Sequence, residues 1–331
     1  MGSHTDSTVK RSIAAVFPGQ ASQYVGMSKV LYDQFPWTKQ IYEEASDSIK
    51  ENIFKLCSEG PEDTLQLTQN QQPCILTTSY AWFQVLKKNL GFDPFAGAGH
   101  SLGEYSALLA AGAMTLTEAV TLVRIRGQLM QNAVPKGRGK MAAILGLSDD
   151  KVKALCEKAT EDAIHSFVVP ANFNAPSQVV ISGHAAAVDR VQAIATDPNA
   201  GELKPRKFIP LNVSAPFHCA LMKPVAEEFE SHLMAVKWGP RAFSIAHNVD
   251  GKIRKEGELN TVLKNQIANP VLWTTCISNL VEHGTQVFIE LGPNKVLTGL
   301  IKRMTENIAL FSMDSFEDFK KFETYIKEGQ S

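Results

Sequence analysis

Short apolar runs alternate with longer amphipathic stretches along most of the chain. The amphipathic stretches repeat their apolar positions at helical spacing, which predicts helices that pack by one face. The apolar runs predict buried strands at residues 12–17, 95–99, 243–249, 286–291 and 308–313. Strands that alternate with helices favour a mainly parallel sheet with helices on its faces, so we expect an α/β fold.

The pattern changes after Pro135, where residues 135–140 form a polar, glycine-rich hinge. The segment beyond the hinge predicts the β-α-β-β-α-β order of ferredoxin-like domains. The predicted elements cover residues 141–147, 148–160, 167–173, 178–182, 184–196 and 206–213. We therefore expect a ferredoxin-like small domain over residues 135–208, inserted into a large catalytic domain formed by residues 12–134 and 209–331.

Proline positions set predicted helix boundaries in the first third of the chain. Pro36 interrupts a helical pattern over residues 28–58. Pro73 follows Gln72 and is assigned to the first turn of a helix that runs to Leu90, because a first-turn proline loses no helical hydrogen bond. We therefore expect that helix to begin near residue 72.

A Gly-x-Ser-x-Gly pattern at residues 99–103 lies between a predicted strand and a helix predicted over residues 102–111. This context is typical of a nucleophile elbow, a strained turn in which a Cβ on either flanking glycine would clash. The turn would present the Ser101 hydroxyl at a helix N-terminus, where free N–H groups favour an oxyanion. The alternative is a flexible turn in which Ser101 only caps the helix.

The next predicted helix, which begins with a capping box of Thr115 and Glu118, carries an arginine on its apolar stripe. That residue is Arg126, whereas Arg124 falls outside the stripe. An inward-facing arginine needs an anionic partner, because an unpaired buried charge is very unfavourable. The partner is either an Asp or Glu of the protein, in a structural ion pair, or an anionic substrate.

His218 is the best placed of the eight histidines for acid–base chemistry. It lies at the junction between a loop and a helix predicted over residues 219–236, not within an apolar face. His247 ends an apolar run and is expected to be a satisfied core residue. His100 precedes the elbow turn and is expected to pack and to point away from Ser101.

Composition narrows the class of protein. The 331 residues are 44% hydrophobic and 20% charged, with a net charge of −1, so no global field indicates nucleic acid or an anionic membrane as partner. No apolar run is long enough to span a bilayer. The five cysteines form no C-x-x-C pattern and are expected to be reduced thiols of a cytoplasmic protein. We expect no metal site and no secretory signal, and residues 1–4 resemble an expression scar.

Six short motifs are spread over nearly the whole chain. They are Phe17-Pro18-Gly19-Gln20 with Ser22-Gln23, Gly99-His100-Ser101-Leu102-Gly103-Glu104, Arg126-Gly127 with Met130-Gln131, Ala215-Pro216-Phe217-His218, Asn269-Pro270-Val271 within residues 266–273, and Gly292-Pro293 with Leu297. In this order they resemble the malonyl-CoA:acyl carrier protein transacylases, from about residue 13 to about residue 313. Position 21 is Ala where many members of that family have Gly.

The resemblance implies an α/β-hydrolase-like large domain, a ferredoxin-like small domain and an active site in the cleft between them. Ser101 would be the nucleophile and His218 its base, with the Gln266 carbonyl orienting the imidazole in place of a triad carboxylate. The backbone N–H groups of Gln20 and Leu102 would form the oxyanion hole.

The resemblance also implies how the substrate is held. Arg126 would bind the malonyl carboxylate, and Phe217 would exclude bulkier acyl groups. Asn172 would lie where the small domain approaches the cleft.

These roles imply an acyltransferase that moves malonyl from malonyl-CoA to the phosphopantetheine thiol of acyl carrier protein for fatty-acid biosynthesis. The reaction would pass through malonyl-Ser101, need no cofactor and be catalysed by a monomer. The alternatives are a free-standing acyltransferase of a polyketide synthase and a serine acyl hydrolase, which would not need an inward arginine. A catalytically dead carrier-binding module is a further alternative, but it should lack Ser101, His218 or Arg126.

An acidic carrier protein would need basic surface clusters on this nearly neutral chain. The candidate clusters are Lys136, Arg138 and Lys140; Lys204, Arg206 and Lys207; and Lys302 with Arg303. The alternative is an ordinary solvated surface.

Overall fold

The computed structural model describes residues 12–135 and 137–328, so residues 1–4 and Lys136 lie outside the described residues. The strands are β1 (Ile13–Phe17), β2 (Ala96–Gly99), β3 (Gly139–Leu145), β4 (Val168–Ala175), β5 (Gln178–His184), β6 (Lys207–Pro210), β7 (Ser244–Ala246), β8 (Ile253–Arg254), β9 (Val287–Leu291) and β10 (Ala309–Met313).

The helices flank these strands. They are α1 (Lys29–Gln34), α2 (Lys39–Ile49), α3 (Ile53–Glu59), α4 (Glu62–Leu65), α5 (Thr68–Leu90), α6 (Leu102–Ala110), α7 (Leu116–Gln131), α8 (Asp149–Ala159), α9 (Ala185–Thr196), α10 (Lys223–Ala235), α11 (Leu259–Ala268), α12 (Trp273–Glu282), α13 (Val296–Ile301) and α14 (Phe316–Glu328). Short 3-10 helices lie at Pro36–Thr38, Gly201–Leu203 and Ala220–Met222.

The larger sheet has the strand order β10-β9-β1-β2-β7-β8. All its strands run parallel except β8, which pairs antiparallel with β7. Ala15 and Phe17 of β1 face a core that includes residues of α5, α6 and α7, whereas Ala14 and Val16 face a second core with residues of α12 and α13. Helices cover both faces, as parallel sheets require. The expected α/β fold with a mainly parallel sheet is confirmed.

The smaller sheet has the strand order β4-β5-β3-β6 and is antiparallel throughout. Its elements follow the predicted order of strand, helix, two strands, helix and strand. Ile144 and Ile181 pack in a separate core with residues of α8 and α9. Side chains alternate across a strand, so Met141 and Val180 lie on the opposite face, where they line a cavity against the larger sheet.

The start of α5 corrects one sequence-based prediction. The helix begins at Thr68 and not near residue 72, so Pro73 lies inside it. A proline there removes the helical hydrogen bond to the Gln69 carbonyl. Arg124 of α7 donates to that carbonyl from Nη1 at 3.1 Å. The prediction was wrong because a side chain from another helix satisfies the group that the proline leaves free.

The five cysteines form no disulfide, as predicted, and all five are buried. In the described part of the chain, no helix combines the length and the apolar character that crossing a membrane requires.

Candidate active site

The turn between β2 and α6 holds Ser101 in a strained backbone conformation with φ of 51°. A Cβ on Gly99 would lie 1.8 Å from the Gly103 carbonyl carbon, and one on Gly103 would lie 2.0 Å from the Phe17 carbonyl oxygen. The predicted need for glycine on both sides of the serine is therefore confirmed. Ser101 makes no side-chain capping bond to α6, so the alternative of a simple helix cap is wrong.

The Ser101 hydroxyl lies within hydrogen-bond distance of His218, although 117 positions separate the two residues. The distance from Ser101 Oγ to His218 Nε2 is 2.8 Å, and His218 Nδ1 lies 2.9 Å from the Gln266 carbonyl oxygen. That carbonyl can only accept, so Nδ1 carries the proton and Nε2 is left to accept from the serine. The arrangement can activate the hydroxyl as a nucleophile.

The environment of His218 favours its neutral form. The residue is 4% exposed and lies near the Arg126 cation. Burial, followed by the charge of Arg126, lowers the pKa of His218 to about 3. The imidazole is therefore unprotonated at neutral pH and available as a base.

Arg126 is fully buried and is the second residue that contacts the Ser101 hydroxyl. Its Nη2 donates to Ser101 Oγ at 3.1 Å and to Gln266 Oε1 at 3.0 Å, while Nη1 donates to Gln72 Oε1 at 2.8 Å. Among the residues that the structure describes, no carboxylate lies within ion-pair distance of it. The alternative of a structural ion pair is therefore not supported.

The guanidinium of Arg126 lies over an aromatic ring. Its central carbon is 5.1 Å from the centroid of Tyr105. Burial lowers the pKa of Arg126, while Tyr105 and Glu104 oppose that effect, and a guanidinium stays charged in proteins. Its partners are thus a ring and neutral oxygens. Because no described carboxylate pairs with it directly, the guanidinium is available to an anion beside Ser101.

A cavity of about 340 Å³ opens beside Ser101 between the two sheets. Its lining includes four of the candidate site residues, namely Gln20, Asn172, Phe217 and His218. Asn172 lies in β4 and forms an isolated parallel β-bridge with Val271, which lies just before α12. Within the described residues, no group of three His, Cys, Asp or Glu side chains is arranged to hold a metal ion.

Two backbone amides were predicted to form an oxyanion hole. Leu102 is the first residue of α6, so its N–H has no acceptor within the helix. Gln20 lies in the loop after β1, where its side chain donates to Gln71 at 2.7 Å. The neighbouring Ala21 has φ of 72°, a backbone conformation that favours glycine. This is the position at which the sequence has Ala where many members of the family it resembles have Gly.

The two histidines that were predicted to be structural have polar partners. His247 is 1% exposed and its Nδ1 lies 2.7 Å from Glu104 Oε1, so it is a satisfied core residue, as predicted. His100 lies 5.6 Å from the ring of Trp273, and its Nε2 is 2.7 Å from Asn174 Oδ1. These contacts agree with the packing role predicted for His100. The residue also lines the cavity beside Ser101, so the expectation that it points away from Ser101 is not supported.

A polar network around the elbow was missed from the sequence. Asn248 accepts the Ser101 N–H at 2.8 Å and donates to the Gly99 carbonyl at 2.7 Å, so it holds both sides of the turn. Glu104 accepts from the Asn248 N–H at 3.2 Å and from the Gln266 side chain at 2.8 Å. The available signal was a charged residue, Glu104, in the otherwise apolar start of α6.

Known proteins match this chain over most of its length. A family model described as an acyl transferase domain matches residues 15–324. The malonyl CoA-acyl carrier protein transacylase of Haemophilus influenzae is 39% identical over 318 residues, which make up 96% of this chain and 99% of that protein. Each of these matches extends over most of the chain.

Solved structures show the same likeness. The crystal structure of FabD from Acinetobacter baumannii has a TM-score of 0.89 and 41% identity, and the match covers 96% of this chain and 98% of that one. A complex described as a type II PKS acyl-carrier protein with its malonyl-transacylase has a TM-score of 0.87 and 38% identity, and that match covers 95% and 99%.

Proposed function

Because the chain belongs to the acyl transferase family, we propose that it is a malonyl-CoA:acyl carrier protein S-malonyltransferase. It moves a malonyl group from CoA to the phosphopantetheine thiol of the carrier. The observation that carries the proposal is the buried Arg126 guanidinium, 3.1 Å from Ser101 Oγ and held by neutral acceptors. A neutral acyl group offers that charge no partner, whereas the malonyl carboxylate does.

The first half-reaction loads the serine. His218 Nε2 takes the Ser101 proton as the hydroxyl oxygen attacks the thioester carbon. The N–H groups of Gln20 and Leu102 stabilise the oxyanion, and one such donor contributes roughly 3–4 kcal/mol to the transition state. The intermediate collapses, the carbon–sulfur bond breaks, and CoA leaves as the thiol with the proton from His218.

The second half-reaction reverses these steps with a different thiol. The phosphopantetheine thiol gives its proton to His218 and attacks the malonyl ester, which releases Ser101 as the protonated leaving group. A thioester is exchanged for a thioester, so the reaction is reversible and involves no electron transfer, and none of its steps calls for a cofactor. The kinetics should be ping-pong.

Selection of the acyl group is divided between two side chains. Leaving a buried Arg126 without its anion costs about 3–5 kcal/mol, which disfavours acetyl by a factor of hundreds or more. Methylmalonyl differs from malonyl by one methyl, which is worth about 1–3 kcal/mol. Phe217 precedes the base and lines the cavity, so it would exclude that methyl. Asn172 faces the same cavity from the smaller sheet and would contact the bound substrate.

We also propose a division into two domains. An α/β-hydrolase-like catalytic domain would comprise residues 12–134 and 209–331, with a ferredoxin-like domain over residues 135–208 inserted into it. The strand order β6-β3-β5-β4 and the separate core under α8 and α9 support the smaller unit. The cavity with Ser101 lies between the two sheets.

The carrier protein would approach the mouth of this cavity. Lys302 and Arg303 are exposed directly after α13, whose Val296 and Leu300 line the cavity. Lys204 and Arg206 are exposed just before β6, and Lys207 is exposed as its first residue. Arg138 is exposed in the hinge, whereas Lys140 is already paired with Asp189 at 2.7 Å. Charge reversal at Lys302 and Arg303, or at the cluster of Lys204, Arg206 and Lys207, should weaken the affinity for the carrier protein. An unchanged affinity would exclude that cluster as a docking site.

The pathway and setting follow the same proposal. We infer that the reaction serves fatty-acid biosynthesis. A polyketide carrier is the alternative, because one structural relative was solved with such a carrier. Five buried, unpaired cysteines suit a reducing compartment such as the cytoplasm. We propose a monomer, which light scattering would test.

The decisive experiment separates the two half-reactions. The protein is incubated with malonyl-CoA and freed of excess substrate, and a malonyl adduct on the peptide containing Ser101 is expected by mass spectrometry. Addition of a carrier protein should discharge the adduct faster than malonate is released. Faster release of malonate would indicate a hydrolase, and the absence of any adduct would contradict the proposal. Comparing fatty-acid and polyketide carriers then identifies the pathway.

A further inference from the structure

We propose that Glu104 is a positioning residue, which fixes the orientation of the Gln266 side-chain amide and, through it, the Arg126 guanidinium. The inference rests on the proposed function, because it concerns how Arg126 recognises the acyl group. The Glu104 carboxylate, which does not contact the substrate, then contributes to the selectivity for an acyl group that carries its own carboxylate.

The side-chain amide of Gln266 has different neighbours at its two ends. Its Oε1 accepts from Arg126 Nη2 at 3.0 Å. Its Nε2 donates to Glu104 Oε2 and to the Ser101 carbonyl, both at 2.8 Å. The two ends of an amide have nearly the same shape, so packing alone does not select one orientation. A flipped amide would direct its N–H groups at the guanidinium, which has no acceptor.

Glu104 removes this ambiguity. Its side chain is fully buried, and an ionised carboxylate can only accept hydrogen bonds. It therefore cannot face the oxygen of the Gln266 amide, and the charge-assisted bond to Nε2 is stronger than a neutral one. The Ser101 carbonyl imposes the same direction more weakly. The amide oxygen is thereby left to face Arg126.

The Glu104 carboxylate is itself held in place. Its Oε1 lies 2.7 Å from Nδ1 of the buried His247, and its Oε2 also accepts the Asn248 N–H at 3.2 Å. Both partners follow β7 at the edge of the larger sheet where Ser101 lies. Glu104 is in the first turn of α6, directly after the elbow. The helix that presents the nucleophile thus also carries the anchor for the substrate-binding arginine.

Two substitutions at position 104 separate orientation from packing. Glu104→Met removes the acceptor at nearly the same volume and allows the Gln266 amide to flip. Glu104→Gln can keep an amide oxygen toward Gln266 and direct its N–H groups at His247, which then accepts. Initial rates of malonyl- and acetyl-Ser101 formation are measured by intact mass from a mixture of the two CoA esters.

We expect Glu104→Met to lower the malonyl-to-acetyl ratio about tenfold, within the range of couplings in one hydrogen-bond network. Glu104→Gln should retain most of the ratio. In the Arg126→Ala background, Glu104→Met should change the ratio no further, because the residue acts through the arginine. The control is Glu290→Gln. Glu290 is another fully buried glutamate, and its carboxylate accepts from the N–H groups of Leu297 and Thr298. This variant should keep the malonyl-to-acetyl ratio even if its thermal stability falls.

Three results would overturn the proposal: an equal fall of malonyl and acetyl loading in Glu104→Met, an equal change of ratio in both variants, or a change that persists without Arg126. If Glu104→Met does not fold, Gln266→Met serves instead, because it removes both ends of the amide and keeps the backbone carbonyl to His218. An unchanged ratio there would also refute the proposal. Failure of the proposed function is distinct, since wild-type protein would then form no malonyl adduct or would release malonate faster than it loads the carrier.

Discussion

Two buried nitrogen groups approach the Ser101 hydroxyl, and they differ in what burial does to them. His218 Nε2 lies 2.8 Å from Oγ and Arg126 Nη2 lies 3.1 Å from it. Burial lowers the pKa of both groups. The imidazole loses its proton and becomes a base, whereas the guanidinium cannot lose its charge and becomes a receptor for an anion.

This difference predicts two classes of variant. Changes on the side of His218 should slow loading of every acyl group alike, because the proton transfer is common to all of them. Changes on the side of Arg126 should alter the preference among acyl groups, because only some of them carry a carboxylate. Measurements that compare two acyl groups in one reaction therefore test the comparison better than single rates.

Ser101→Ala should have the largest effect, because it removes the atom on which both sides act. Loss of the nucleophile in a Ser–His enzyme reduces turnover by roughly a millionfold. No adduct should form with malonyl-CoA or acetyl-CoA, as measured by intact mass. A malonyl adduct on this variant would place the intermediate on another residue.

His218→Ala should slow loading by about 10² to 10⁴, the usual contribution of a positioned base. The malonyl-to-acetyl ratio should stay close to that of wild type, because Arg126 is untouched. The exposed His283 provides a control, and His283→Ala should load at the wild-type rate. A large shift of the ratio in His218→Ala would show that the two sides are not separable.

Phe217→Ala should have a smaller and more selective effect. Removing the ring makes room for one methyl beside the base, so methylmalonyl should gain about tenfold relative to malonyl. The malonyl-to-acetyl ratio should not change, because both groups fit in the wild-type cavity. Competition between methylmalonyl-CoA and malonyl-CoA measures the shift, and an unchanged preference would contradict the role of Phe217 as a barrier.

The rate of malonyl loading should not change with pH near 6.5, where an ordinary histidine titrates. The His218 pKa is lowered to about 3, so the imidazole stays unprotonated as the pH falls through about 6.5, the usual histidine value. Loading should be lost only as the pH falls well below that value. The profile of kcat/KM for malonyl-CoA reports the free enzyme, and a half-loss near pH 6.5 would contradict the assignment.

The residues nearest the chemistry could be predicted because their signals are local. The glycines around Ser101 are required by contacts within the turn and with β1, and Arg126 is identified by its spacing on α7. His218 is identified by its position at a loop–helix junction. The succession of strands and helices along the chain also follows from the alternation of apolar runs, but the strand order within the larger sheet was not predicted.

The supporting network could not be predicted, because the sheet brings distant residues together. Glu104 meets His247 across 143 positions, and Ser101 meets Asn248 across 147. Neither contact has a signature in spacing. The same cause explains why the position of Pro73 inside α5 was not predicted, because the Gln69 carbonyl that this proline leaves free accepts from a side chain of α7. Local patterns indicate which residues react, whereas the fold determines what orients them.

The malonyl-to-acetyl ratio of Arg126→Ala tests the central claim most directly. Wild type, Arg126→Ala and Arg124→Ala are each given equal malonyl-CoA and acetyl-CoA, and the two adducts on Ser101 are quantified by intact mass. Arg124 is a suitable control, because it lies on the same helix but its guanidinium contacts Glu51 and the Gln69 carbonyl instead of the Ser101 hydroxyl. We expect Arg126→Ala to lose the preference by a factor of hundreds, since about 3–5 kcal/mol separates a paired from an unpaired buried charge, while Arg124→Ala keeps the preference. Malonyl loading by Arg126→Ala at the wild-type ratio would contradict the account.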